Sequence, residues 1–223
     1  MPTADIEKSS LLMVSHCVPA QINDRQRSRA WQMLEAASER NRVELVAVVD
    51  QPVHMQQWRR LTELAARVTL ISGWPGTRPA RVEQAVKRVL RWTTFDTVLC
   101  TSARLWSRTL RTSQSYRVLD MDVPESRQLR QRTADVDPIS GWRLARRAHG
   151  QWLREVHAAG NCDLLILSRR DDLLNLRKHA ARTALAARHE RDTIVELLSP
   201  TPATLGATFA TPETAIPPLR RAA

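Results

Sequence analysis

Short, nearly all-apolar runs alternate along this chain with longer stretches of helical periodicity, and that alternation restricts the fold more than any other feature. Residues 11–15, 43–49, 68–71, 95–100, 116–119 and 163–167 read as strands, and 193–198 reads as a last one. Between them the spacing predicts helices starting near Arg25, over 53–66, 79–92, 103–112, 124–133, 141–159 and 170–189. Asn23 or Asp24 stands where the first helix needs a cap. Trp31 and Leu34, then Trp58 and Leu61, then Val82 and Val86 fall on inward helical faces. Strands without polar alternation need cover on both sides. The expectation is an α/β, Rossmann-like, mainly parallel sheet of six or seven strands with helices on both faces.

In such a sheet the ligand crevice lies at the carboxyl ends of the strands, where the strand order reverses. That puts the loops after Ser15, Asp50, Cys100, Asp120 and Ser168 at the working edge. The first loop, His16-Cys17-Val18-Pro19, leads to Arg25, Arg27 and Arg29 at a helix start. A helix N-terminus attracts anions, and arginines there can hold a phosphate in bidentate fashion; equally, they can be solvated first-turn residues. Asp120 and Asp122, two apart at a strand end, share one side. They can bind a hydroxyl or a cation, or cap the next helix.

Several chemistries are excluded by pattern. No G-x-G-x-x-G follows the first strand, so no dinucleotide cofactor is expected, and P-loop, G-x-S-x-G and H-E-x-x-H patterns are absent. Cys17, Cys100 and Cys162 are few, odd in number and widely spaced. They suit neither a metal site nor a disulfide scaffold, and they point to a reducing compartment. No metal is expected.

The charge is lopsided: 34 basic against 23 acidic residues give +11, and only Lys8, Lys87 and Lys178 among the cations are not arginine. The densest basic region, Arg104 to Arg154, is suited to a protein partner or an anionic membrane, and Arg143, Arg146, Arg147 and Arg154, with His149 and His157, make the helix over 141–159 the best candidate for a basic surface. The wide spread of the other arginines and the lack of an RNA-binding signature argue against nucleic acid. Trp142 and Trp152, at helical spacing, read as core anchors, and the tryptophans in general as packing. No apolar run is long enough to span a bilayer and the start is polar, so the expected location is cytoplasmic, with peripheral membrane contact as an option. Five of the 12 prolines lie in 200–218. The expected organisation is one domain over 1–198 and a Pro/Thr-rich tail over 199–223.

Taken in order, these segments resemble a known family. Leu11-Leu12-Met13-Val14-Ser15-His16-Cys17-Val18-Pro19, then Arg29-Ala30-Trp31-Gln32-Met33-Leu34, then 43–50, are similar to the amino-terminal domain of family-4-like bacterial glycosyltransferases of the GT-B architecture, those of exopolysaccharide loci above all. Phe95-Asp96-Thr97-Val98-Leu99, Val118-Leu119-Asp120-Met121-Asp122-Val123 and Asp163-Leu164-Leu165-Ile166-Leu167-Ser168 resemble that family's later strands, so the likeness runs over about residues 10–170. It implies a role in envelope or exopolysaccharide biosynthesis, with an acceptor-side site around His16, Pro19, Arg25, Arg29, Asp120 and Asp122. Two departures qualify the implied activity. The family's loop glycine is replaced by Arg25 or a neighbour, and Leu197-Leu198-Ser199-Pro200 stands where the family's hinge leads into a donor-binding domain. The resemblance therefore implies an acceptor-side half that needs a donor-domain partner or is non-catalytic. The alternative is a non-enzymatic interaction module working through the basic face.

Overall fold

A computed structural model of the protein describes residues 8–21, 24–49, 51–72, 78–106, 110, 115–185 and 191–198. Seven strands form one parallel sheet: β1 (Ser9–Ser15), β2 (Asn41–Val48), β3 (Arg67–Ile71), β4 (Thr97–Cys100), β5 (Tyr116–Asp120), β6 (Leu164–Leu167) and β7 (Thr183–Leu185). Their order is β3-β2-β1-β4-β5-β6-β7, with every neighbouring pair parallel. The chain builds outward from β1 to β3, then returns to place β4 on the other side of β1. The order reverses between β1 and β4, which makes that junction the switch point of a doubly wound, Rossmann-like sheet.

The described helices are α1 (Arg25–Arg40), α2 (Met55–Leu64), α3 (Arg78–Trp92), α4 (Glu125–Gln131), α5 (Pro138–Ala159), α6 (Arg170–Leu176) and α7 (Arg191–Leu197). They cover both faces. Successive residues of a strand point to opposite sides, and β1 divides accordingly. Leu11 and Met13 join Trp31, Leu34, Leu61, Ile194 and Val195 from α1, α2 and α7. Leu12 and Val14 join Val82, Val86, Ala158, Ala159 and Leu176 from α3, α5 and α6. In β6, Leu164 and Ile166 face the first layer, Leu165 and Leu167 the second. This two-sided burial explains why the strands read as continuous apolar runs.

Asp24 caps α1, its side chain accepting a hydrogen bond from the Arg27 amide at 2.9 Å. Asn41 closes the same helix and opens β2. Its Nδ2 donates to the Ala37 carbonyl at 2.9 Å, and its Oδ1 accepts from the Ser9 hydroxyl at 2.6 Å.

Two sequence expectations fail. The last strand is not 193–198: that segment is α7, and β7 lies within the stretch expected to be helical. Ile194, Val195 and Leu198 are spaced to suit one face of a helix as well as a strand, and packing against α1 decided for the helix. After β4 the stretch expected to be helical opens with a 3-10 turn, Ala103–Leu105, capped by the Ser102 side chain, and Leu110 is helical; residues 107–109 and 111–114 lie outside the described set. Tryptophan is not only packing. Trp31 is buried, but Trp58, Trp92 and Trp142 are 37%, 78% and 63% exposed. The expected tail, 199–223, and Asn23 and Asp50 also lie outside the described residues.

Candidate functional site

A cleft of about 580 Å³ opens at the carboxyl ends of β1, β4 and β5, at the switch point. Its walls come from the loops that the alternation pattern put at the working edge. His16 follows β1, Thr101 to Leu105 follow β4, Asp120 to Glu125 end β5, and Arg169 follows β6. Arg25, Gln26 and Arg29 enter from α1, and Gln151 and Glu155 from α5.

Two parallel arginine–aspartate pairs form its base. Arg25 and Arg29 are four apart on α1 and so share a face; Asp120 and Asp122 are two apart and share a side of the strand end. Arg25 reaches Asp122 with Nε at 2.7 Å and Nη2 at 3.0 Å. Arg29 reaches Asp120 with Nε at 3.3 Å and Nη2 at 3.1 Å. The outer pair is half in water, the inner pair only 2% exposed on both sides. Burial raises the Asp120 carboxyl above its ordinary range, against the opposing charge and hydrogen bonds of Arg29. Arg29 itself suffers from burial but gains more from Asp120, and its pKa is raised. Asp122 is held below the ordinary range: burial works against this, but hydrogen bonds from Arg25 and Ser168 outweigh it. The Ser168 hydroxyl donates to the Asp122 carbonyl at 2.6 Å, tying the end of β6 to that of β5. The Nη1 of Arg29 is buried without a hydrogen-bond partner.

These pairs correct two sequence readings. Arg27 and Arg29 are buried rather than solvated. Neither aspartate caps α4, whose N-cap is Pro124 and has no side-chain cap. Both are committed to arginines of α1.

His16 is held from two sides: Nδ1 lies 3.1 Å from the Thr101 hydroxyl and Nε2 3.3 Å from Gln26 Oε1. Its amide donates to the same threonine oxygen at 3.3 Å. Pro19 is buried away from the cleft wall, with its carbonyl accepting from Gln57 Nε2 at 3.1 Å. The structure thus brings His16, Arg25, Arg29, Asp120 and Asp122 together and leaves Pro19 outside.

Sequence reasoning missed the far wall. Glu155 is 1% exposed, and its carboxylate accepts from the Ser126 amide at 2.9 Å and from the Ser126 hydroxyl. Burial pushes its pKa up, with Ser126 opposing. Gln151, one turn earlier, is also buried. Two polar residues at i and i+4 on the inward face of a long helix were the available signal. Arg104 pairs with Glu125 across the mouth. The cleft wall carries five arginines (Arg25, Arg29, Arg104, Arg132, Arg169) against four carboxylates (Asp120, Asp122, Glu125, Glu155).

Among the described residues, no group of three or more His, Cys, Asp or Glu could hold a metal ion. Cys100 and Cys162 are buried thiols pushed up to about 12 by desolvation, which removes them as nucleophiles. No glycine lies between β1 and α1, so the backbone there lacks the residue that lets a dinucleotide pyrophosphate approach closely. A larger open groove of about 770 Å³ runs between edge strand β3 and α3, away from the switch point.

Fold and cleft together define a doubly wound α/β protein with a polar crevice of mixed charge at its switch point. No family model matches the chain, and no curated protein matches it. Eight chains of solved structure do. One, described as a short-chain dehydrogenase/reductase from Burkholderia xenovorans, is 15% identical, with 92% of this chain and 93% of that one aligned at a TM-score of 0.45.

Proposed function

We infer that this chain is a glycosyltransferase-like domain of envelope or exopolysaccharide biosynthesis, whose cleft takes the acceptor side of a sugar transfer. It works with a donor-binding domain or serves a non-catalytic role beside one. The observation that carries this reading is the pairing of charges on the cleft floor. At the α1 N-terminus, where a doubly wound fold holds phosphates, both cleft-facing arginines are already neutralised by Asp120 and Asp122. A phosphate seated on that floor would have to displace one carboxylate from each, and only Arg132 and Arg169, on the wall, are without a carboxylate partner among the described residues. A neutral, hydroxyl-rich ligand would not, and Gln128 and Gln151 on the same wall carry amide groups that both donate and accept. The order of motifs along residues 10–170 gives the same reading independently.

In this arrangement the paired arginines orient the aspartates, and the aspartates hold α1 to the end of β5. His16, steadied by Thr101 and Gln26, faces the space where an acceptor hydroxyl would sit. Saturation-transfer NMR with a panel of neutral mono- and disaccharides, beside nucleoside diphosphates, tests the reading. Saccharide signals that weaken in His16→Ala and Gln151→Ala support it. Binding of a nucleoside diphosphate alone, or no saccharide signal from the native chain, overturns it. A non-enzymatic interaction role rests on a different surface, the solvent face of α5.

A further inference from the structure

The outer face of α5 is composed unlike a merely solvated one. The helix buries Ala148, Gln151, Glu155, Ala158 and Ala159. On the opposite side Ile139, Trp142 and Leu153 are 68%, 63% and 54% exposed. Positions 139, 146 and 153 repeat every seven residues, with 142 one turn beyond 139, so these side chains form one stripe. At 1.5 Å per residue it is about 20 Å long. Arg143, Arg146, Arg147 and Arg154 are exposed along it, and the Arg146 guanidinium lies 5.8 Å from the centre of the Trp142 ring.

The charge on this face is uncompensated. None of the four arginines has an acidic partner among the described residues. The only acid in α5, Glu155, is buried on the other side. Asp135 and Asp137 stand at the start of the helix, and Asp137 is occupied as its cap, accepting from the Ile139 and Ser140 amides.

Large apolar side chains interleaved with unpaired arginines on one helical face match the chemistry of a bilayer interface, with apolar groups at the acyl boundary and cations among anionic headgroups. Nucleic acid would use the arginines and the tryptophan but has no complement for Ile139 and Leu153. We propose that the solvent face of α5 docks the protein on an anionic lipid surface, with Ile139, Trp142 and Leu153 at the headgroup boundary and Arg143, Arg146, Arg147 and Arg154 on lipid phosphates. This docking is independent of what the cleft binds, because Gln151 and Glu155 face the other way.

Vesicle co-sedimentation of the full chain tests it, using phosphatidylcholine alone and phosphatidylcholine with about 30 mol% phosphatidylglycerol, a surface that attracts juxtaposed arginines. The expected result is binding to the anionic vesicles only, weakened by salt. A blue shift of tryptophan fluorescence should accompany it and be lost in Trp142→Phe. Replacing all four arginines by Gln should weaken binding about tenfold or more, while replacing them by Lys should retain most of it. Ile139→Ser with Leu153→Ser should reduce the binding that survives at high salt. Far-UV circular dichroism and urea midpoints establish that each variant is folded. Equal binding to neutral and anionic vesicles, undiminished binding by the glutamine variant, or no vesicle binding alongside salt-dependent binding to an oligonucleotide would each overturn the proposal.

Discussion

The inner pair, Arg29 with Asp120, gives the sharpest prediction. Both side chains are 2% exposed, and Arg29 reaches Asp120 through two nitrogens while its third is already unpartnered. Asp120→Asn keeps the shape and removes the charge. A guanidinium stays ionised in a protein, so the variant buries an uncompensated cation. Breaking a buried ion pair from one side costs about 3–5 kcal/mol, a large part of the 5–15 kcal/mol that holds a typical domain together. For a chain of this length each kcal/mol lowers Tm by about 2–4 °C, so the melting temperature should fall by about 6–20 °C. The double variant Arg29→Met, Asp120→Leu removes both charges and fills the space with apolar atoms, so it should be more stable than Asp120→Asn alone. Urea unfolding followed by circular dichroism measures all the variants, with unchanged m-values showing that the unfolded state is not the cause. The outer pair is the internal control. Arg25 is 41% exposed, and Asp122→Asn should cost no more than about 1–2 kcal/mol after solvent screening. The reasoning fails if Asp120→Asn costs less than about 1 kcal/mol, or if the double variant is less stable than the single one.

Other outcomes follow from the same geometry. Glu155 has its pKa raised by burial, so the folded state holds its proton more firmly than the unfolded chain; its contribution is greatest at low pH and is lost as pH rises through the raised value. Glu155→Gln keeps an acceptor for the Ser126 amide and a donor for its hydroxyl, so the stability difference between variant and native chain should grow in the variant's favour from pH 4 to 8 in urea melts. Asp122 has the opposite sign: with its pKa lowered, its stabilisation is present above the ordinary carboxylate range and lost as pH falls through the lowered value, a loss that Asp122→Asn should abolish. Cys17, Cys100 and Cys162 are all buried, and a thiol reagent at pH 8 should leave them unmodified in the native chain and label all three in urea. Asp24→Ala removes the cap of α1 and should cost about 1 kcal/mol, whereas Asp24→Ser should restore most of it.

The parallel sheet was legible because its strands are buried on both faces, and a strand such as Leu11-Leu12-Met13-Val14 then has no position where water would favour a polar residue. The two elements that misread are short and lie near the end of the described chain. The three residues of β7 are too few to show a period, and Ile194, Val195 and Leu198 satisfy a helix and a strand alike, so contact with α1 settles what local spacing leaves open. Trp142 misread for a different reason. Helical spacing places it on a face of α5 but does not say which face meets the sheet. That was decided by the residues the helix buries: Ala158 and Ala159 join the layer that holds Leu165, and Ala148, Gln151 and Glu155 are buried on the same side.

The site was legible one residue at a time but not in its pairings. Strand-end aspartates and a helix-start arginine cluster were each visible, and each had an ordinary local explanation, a cap or a solvated charge. What excludes those explanations is register. Arg29 and Asp120 are 91 residues apart, and Arg25 and Asp122 are 97 apart. They meet because β5 lies two strands from β1 across the switch point, and the first turns of α1 stand at that edge beside the end of β5. Four apart on a helix spans about 6 Å, and two apart on extended chain spans about 6.6 Å, so two arginines on α1 can face the last residue of β5 and the aspartate two beyond it. That match of pitches turns a cluster of cations into a neutral floor, and the proposed ligand class rests on it. The same residues unpaired would have argued for a phosphate; paired, they argue for hydroxyls, and the cationic surplus of the chain is left to surfaces such as the outer face of α5.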